Sequence, residues 1–495
     1  MIRAPALSSG LALTVLLTLL GPAWPQDVSQ PSIPIVIRPA AEPIPALKYR
    51  LLPERGSLVP GNAAVFYHRA IEMLDQTRQI VILDKDREKR LATEEQAAGA
   101  WIKGPLESIP LDQARQWLDI HRAALVETRL GAQRQTCNWE FDLRSEGVEM
   151  LLPEIQKMRS LVWLVALKTR LAVRDRKIDE AIDWLQTGYA MSRHVSEGPF
   201  LLQGLVGISL SAVMAKPLDD LVQAPDMPSL FWALAHRPRP FIDLAVAAES
   251  ERFLLEREIP QLRELDAAPW SQEKARTFTE EMRNKVFRLA GYAARSRVGS
   301  DASGMEEWSN KLGLAALVAQ AYAEAKGALI AQGRSTTQVE AMPVVQVAAL
   351  HTFQLYQQVR DEEFKWVRLP YYQAYKGINK AFLHGNKAQQ TRPLLKLFTL
   401  LTPAIWSVLM AQVMVDRRLD AIQCIEAIRI YGAAHGKFPA GLEDISEAPV
   451  PLDVATSMPF GYRVQGDHAT LSAPSPPGGA EIPQYTIKYE LEWAR

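Results

Sequence analysis

The chain of 495 residues carries 56 Lys and Arg against 56 Asp and Glu, so its formal net charge is zero. Hydrophobic residues make up 48% and charged residues 23%, proportions that exclude a disordered chain, a collagenous repeat and a polytopic membrane protein. The balance also argues against nucleic acid as a partner, because neutralising phosphates calls for a basic excess.

In chain order, the first feature is an export signal over residues 1–26. Arg3 supplies a positive start, Leu11–Leu20 is an uncharged apolar run, and Gly21, Pro22 and Ala23 break it with small residues. The run is shorter than the roughly 20 residues that span a bilayer. The expectation is an exported protein, periplasmic or secreted. An N-terminal segment left uncleaved as a membrane tether is the alternative, and the expected membrane contact is through that segment alone. Residues 27–60 form a proline-rich extended linker, since nine of the 33 prolines fall between 22 and 60. Its Ile and Val residues suggest that parts of it lie against the folded body.

Residues 61–400 read as a helical body. Ala63, Phe66, Tyr67, Ala70, Ile71 and Leu74 recur at the spacing of one helical face. Glu154 to Gly198 holds no proline and divides at Arg174–Lys177, which predicts a helical hairpin with a short charged turn. Further helices are expected at about 200–223, 241–259, 272–297, 311–331, 343–366 and 371–384. Leu397–Val415 is uncharged, but Thr402 and Pro403 form an N-cap and first-turn pair. The expected element is a core helix that starts there, runs on past Arg418, and stops at Gly436. A transmembrane span is the alternative by length.

Residues 401–495 change character to a long helix followed by a small antiparallel sheet. Phe460, Tyr462 and Val464 alternate with polar or small residues, Gln465–Asp467 turns the chain, and Ala469 and Leu471 resume the alternation. Tyr485, Ile487, Tyr489, Leu491 and Trp493 then face one way. The fold class is therefore mainly α: an irregular multi-helix body with a small C-terminal α+β segment.

Tyr431, His435–Pro439, Leu442–Ile445, Asp453 and Pro459–Tyr462 resemble the helix-to-sheet segment of the major pseudopilins of type II secretion. The likeness covers about 420–475. The whole chain is similar to a group of uncharacterised exported bacterial proteins in which a long helical region precedes such a tail. The family pattern differs at Val454 and Ser457, where related tails carry Pro and Gly. The resemblance implies shape and makes Asp453 the one carboxylate matching a calcium-binding region. No acidic cluster surrounds it, so a turn-forming Asp is the expectation.

No catalytic motif stands out, and no cofactor or metal is expected. The eight histidines show no HxH or HExxH spacing. His68 and Glu72 lie one turn apart and read as an exposed pair more readily than as metal ligands. His351 reads as a satisfied core histidine. Gly207, Ser209 and Ser211 make half a nucleophile elbow inside a helix, the wrong context. Cys137 and Cys424 lack CxxC spacing and read as buried free thiols, with one bridge as the alternative. Trp163, Trp184, Trp232 and Trp406 fall at apolar helical positions and read as core. Glu249, Glu251, Arg252, Glu256, Arg257 and Glu258 crowd one segment, as a solvated ion-paired face or as a source of catalytic carboxylates. The reading is a non-catalytic interaction or structural protein whose partner is another protein of the cell envelope. An envelope hydrolase with carboxylates converging from helices of the body is the alternative.

Overall fold

The structure, a computed structural model, describes residues 32–82, 98–139, 152–295, 311–399, 405–478 and 485–494. The expected export signal lies outside them, as do Thr402 and Pro403. The chain is mainly helical with a small C-terminal sheet. In order it forms β1 (Ile33–Ile37), β2 (Val59–Asn62), α1 (Ala63–Ile82), α2 (Leu111–Ile120), α3 (Arg122–Ala132), β3 (Arg134–Thr136), α4 (Leu152–Arg174), α5 (Ile178–Ser196), α6 (Leu201–Val222) and α7 (Phe231–Ala235). Then come α8 (Ala245–Glu251), α9 (Leu254–Glu258), α10 (Gln272–Arg295), α11 (Lys311–Ala331), α12 (Thr336–Glu340), α13 (Val344–Phe364), α14 (Tyr371–Thr391), α15 (Pro393–Thr399) and α16 (Ile405–His435). Strands β4 (Gly461–Gln465), β5 (His468–Ala473) and β6 (Ile487–Trp493) follow.

Two compact units emerge. Of the described residues, the larger holds those within 32–244, 370–372 and 410–494; the smaller holds those within 245–369 and 373–409. In the larger unit α4 and α5 form the expected hairpin, turned at Arg176 in the left-handed region (φ 57°). α6 lies against α5 so closely that a Cβ on Gly207 would meet the Ser192 carbonyl oxygen at 2.4 Å. That contact explains the glycine, and Ser209 sits buried mid-helix with no hydrogen-bond partner for its hydroxyl among the described residues. α6 is long and apolar enough to cross a membrane, but 78% of its window is buried, as in a core helix. Among the described residues Gly313–Ala331 is the other helix that meets this test, at 17% buried.

The sheet has the order β1-β6-β5-β4, with β1 parallel to β6 and the other pairs antiparallel. Part of the proline-rich stretch, expected to be extended, is thus a strand that joins the tail. β4 and β5 are linked by Gly466 (φ 60°) and Asp467, a two-residue turn that suits strand twist. One face of the sheet is apolar: Ile35, Ile37, Leu471, Tyr489 and Leu491 are buried. It packs on α16, whose Gly432 leaves room for the Trp493 ring. Gly436 (φ 69°) ends that helix as expected.

In the smaller unit α10, α11, α13 and α15 enclose an apolar core that includes Phe278, Val318, Leu329, Leu350, Phe353 and Phe398. Its fully buried Gln346 is satisfied, donating to the carbonyls of Leu265 (2.9 Å) and Ala268 (2.8 Å) and accepting from Trp270 N (2.8 Å). Ser335 and Gln338 cap α12 reciprocally. The helix expected over 241–259 is broken into α8 and α9. The carbonyl of Arg252 at the break accepts from Arg360 Nη1 at 3.0 Å instead of continuing the helical ladder.

Candidate functional site

The most concentrated chemistry in the larger unit is a seam of buried charge along α16. Asp416, Arg417, Asp420, Gln423, Glu426 and Arg429 are all buried, although the helix is apolar on its remaining faces. Buried charge is costly unless it is paired and hydrogen-bonded. Asp420 pairs with Arg237 and with Arg239 Nη1 (2.8 Å), and Gln423 Oε1 accepts from Arg237 Nη1 at 2.9 Å. Asp416 accepts from Phe241 N at 3.1 Å. Burial pushes its carboxyl up to about 7, against the attraction of Arg237. Glu426 accepts from Ser229 Oγ (2.8 Å) and Leu230 N (3.0 Å), and pairs with Arg429 (2.8 Å). One turn of charge after another therefore fastens residues 229–241 to the helix.

The same helix holds the tail. Arg417 forms a two-point fork with Asp453, Nε to Oδ1 and Nη2 to Oδ2, each at 2.8 Å. It also donates to the carbonyls of Pro474 (2.6 Å) and Tyr485 (2.7 Å). Asp453 Oδ1 additionally accepts from Ala455 N at 2.9 Å, the turn-forming role expected of it. Both its oxygens are engaged by the guanidinium. Arg418 pairs with Asp219 on α6 and lies 4.7 Å over the Tyr489 ring. Arg429 donates to the Arg38 carbonyl at 2.9 Å, and Ala40 N donates back to the Arg429 carbonyl at 3.1 Å. β1 is thereby locked beside β6.

The sheet so held has two unlike edges. On β1, Val36 N donates to Gln223 Oε1 (3.0 Å) and Arg38 Nε to the Gln223 carbonyl (3.1 Å), so the end of α6 caps that side. On β4, no strand pairs with the outer side among the described residues. Gln465 opposes His468 across the turn, so alternation turns the N–H and C=O groups of Tyr462 and Val464 outward. Gly461, Arg463 and Gln465 are exposed.

A second buried cluster joins α1, α5 and the segment after β3. Tyr67 Oη and His194 Nδ1 share a hydrogen bond of 2.8 Å, and Trp139 donates to the His194 carbonyl (3.2 Å) while stacking on Tyr67. Burial lowers the His194 imidazole to about 4, which keeps it neutral, and raises the Cys137 thiol, which keeps it protonated. Cys137 is thus not activated as a nucleophile, since a reactive thiol needs a depressed pKa.

The residues singled out by the sequence scatter. His68 sets its ring edge-on to Trp139, while Glu72 accepts from Gln76. No group of three His, Cys, Asp or Glu side chains that could hold a metal occurs among the described residues. His351 is half-buried with no hydrogen-bond partner for either ring nitrogen among the described residues, so the expected satisfied histidine is corrected. Cys137 and Cys424 are free and buried. Of the carboxylates between 249 and 258, Glu256 pairs with Arg360 at 2.6 Å and Glu249 with Arg368 at 2.6 Å. Arg252 forks onto Asp361. Trp184 is buried beneath Arg129, and the Trp232 indole donates to Glu42 at 2.8 Å. Sequence reasoning missed the α16 seam. Its residues Asp416, Asp420, Gln423, Glu426 and Arg429 recur at three and four residues, but polar spacing of that kind reads locally as a solvated face.

Comparison with protein-family models, with curated proteins and with solved structures finds no match to this chain.

Proposed function

We propose that this chain is an exported, non-catalytic interaction protein of the cell envelope that meets another envelope protein through its C-terminal segment. The observation that carries the reading is the sheet with one edge capped by Gln223 and the other, at β4, without a paired strand among the described residues. A rigid open edge offers a partner main-chain donors and acceptors already in place. The buried Arg417–Asp453 fork supports the reading, since it holds that sheet fixed on α16. Arg3 and the apolar run Leu11–Leu20 support export, and the pseudopilin resemblance enters as a likeness of shape.

A photoreactive residue at Met458, exposed in the tail, tests this in intact cells, with one at Asp112 on α2 as control. A single stoichiometric envelope protein cross-linked from Met458 alone is the expected result. Turnover by the purified protein, abolished by one side-chain change, with no adduct in cells, would overturn the reading in favour of a hydrolase.

A further inference from the structure

We propose that the open edge of β4 accepts an extended segment of a partner protein as a fifth strand, one with an acidic residue opposite Arg463 and apolar residues on either side of it. This rests on the interaction reading above and names the chemistry of the partner.

Tyr462 and Val464 aim their N–H and C=O groups away from β5, and no strand pairs with that side of β4 among the described residues. An added strand would satisfy them in the ladder pattern that β4 and β5 already follow. The side chains then set what the strand must carry. Tyr462 and Val464 share a face with buried Leu471, Ala469, Tyr489 and Leu491, yet are themselves only half-buried. Apolar residues on the incoming strand would extend that face and cover them. Arg463 points the other way, is exposed, has no ion pair among the described residues, and is the sole charge on β4. Opposite charges directly across two strands attract and like charges repel.

That rule also selects between occupants. If a second copy of the chain paired its β4 antiparallel over the full length, Arg463 would stand opposite Arg463. Registers shifted to avoid this pair only Gly461–Arg463, or Arg463–Gln465, of each copy. A foreign strand with Asp or Glu at that position uses the whole edge without the repulsion.

The test uses the full chain and two synthetic heptapeptides, alternating Val and Ser about a central Glu or a central Lys, with binding read by fluorescence anisotropy. The Glu peptide is expected to bind at least about fivefold more tightly than the Lys peptide, the scale of a cross-strand charge pair. Arg463→Glu should reverse the preference. Val464→Pro should abolish binding while leaving the β4–β5 ladder intact, because the lost N–H is the outward one. Its thermal midpoint and far-ultraviolet spectrum check that it folds. Binding indifferent to both substitutions, or no binding of either peptide, overturns strand addition. If Met458 still cross-links a partner in the Arg463→Glu and Val464→Pro proteins, the interaction reading stands and only the edge is wrong. If no partner is found with the unaltered chain, both fall.

Discussion

The two units solve the same packing problem with different materials. Around α16 the larger unit buries Asp416, Arg417, Asp420, Glu426 and Arg429, each with a fixed partner. The core of the smaller unit is hydrocarbon, with Gln346 as a buried polar staple. Apolar contacts tolerate sliding and resizing, whereas a bidentate ion pair accepts one geometry. The sheet and the 229–241 segment are thus held in register by a run of such pairs, whereas the smaller unit adds to its apolar core the buried pair of Glu256 with Arg360 at 2.6 Å.

The largest expected effect breaks the register. Arg417→Met leaves Asp453 buried without its cation, which should cost about 3–5 kcal/mol. Hydrogen exchange should rise through β5 and β6 while α13 stays protected. A uniform rise in both units would show that their stabilities are not separable in this way. Adding Asp453→Leu should recover only part of the loss, because the Pro474 and Tyr485 carbonyls would still lack their donor. In the smaller unit Leu350→Ala, at a site 3% exposed, should cost about 2–5 kcal/mol through its cavity, whereas Leu350→Met should cost less than about 1.5. Denaturant titration of the pair checks that contrast.

A third prediction concerns pH. Asp416 is raised to about 7 from an ordinary 3.8, so between those values the folded chain holds a proton that the unfolded chain releases. Its contribution to stability therefore falls as pH rises, by at most about 1.4 kcal/mol per unit. His194, lowered to about 4 from 6.5, acts in the opposite sense: the unfolded chain binds the extra proton, and stability rises with pH across that window. Asp416→Asn should leave the rising trend of His194 exposed between pH 4 and 6.5, measured by unfolding at a series of pH values. The smallest effect is at the surface of the smaller unit. Arg252→Ala removes a fork onto Asp361 whose side chains are 38% and 43% exposed, and should cost under about 1 kcal/mol.

Much of the fold was legible from periodicity. The α4–α5 hairpin, α6, α11, α13, the end of α16 at Gly436 and strands β4 to β6 lie where spacing, turns and glycines place them. Three features were not. β1 reads as proline-rich linker because Pro34 lies within it and Pro31 and Pro39 flank it, and its partner lies far away along the sequence. α8 and α9 read as one helix because the break depends on Arg360, a residue far away along the chain. The charged seam was hidden because local reading assigns Asp and Arg to solvent. Only tertiary contact shows that each has a partner inside. The openness of the β4 edge was equally out of reach, since a strand's alternation says which face is buried and nothing about its neighbours.

The parallel pairing of β1 with β6 has a consequence for how the chain reaches this state. Ile33–Ile37 is synthesised roughly 450 residues before the strand it must lie beside. Until Ile487–Trp493 emerges, the early strand has no ladder to join and Arg429 has only part of its grip on the residues that follow it. The pairing of β1 with β6 is therefore closed across roughly 450 residues, and such non-local closure is slow. Truncating the chain just before β6 should leave helices that form and a first strand that stays solvated. Emergence of β6 would then act as a timer, leaving the first strand unpaired until that segment arrives.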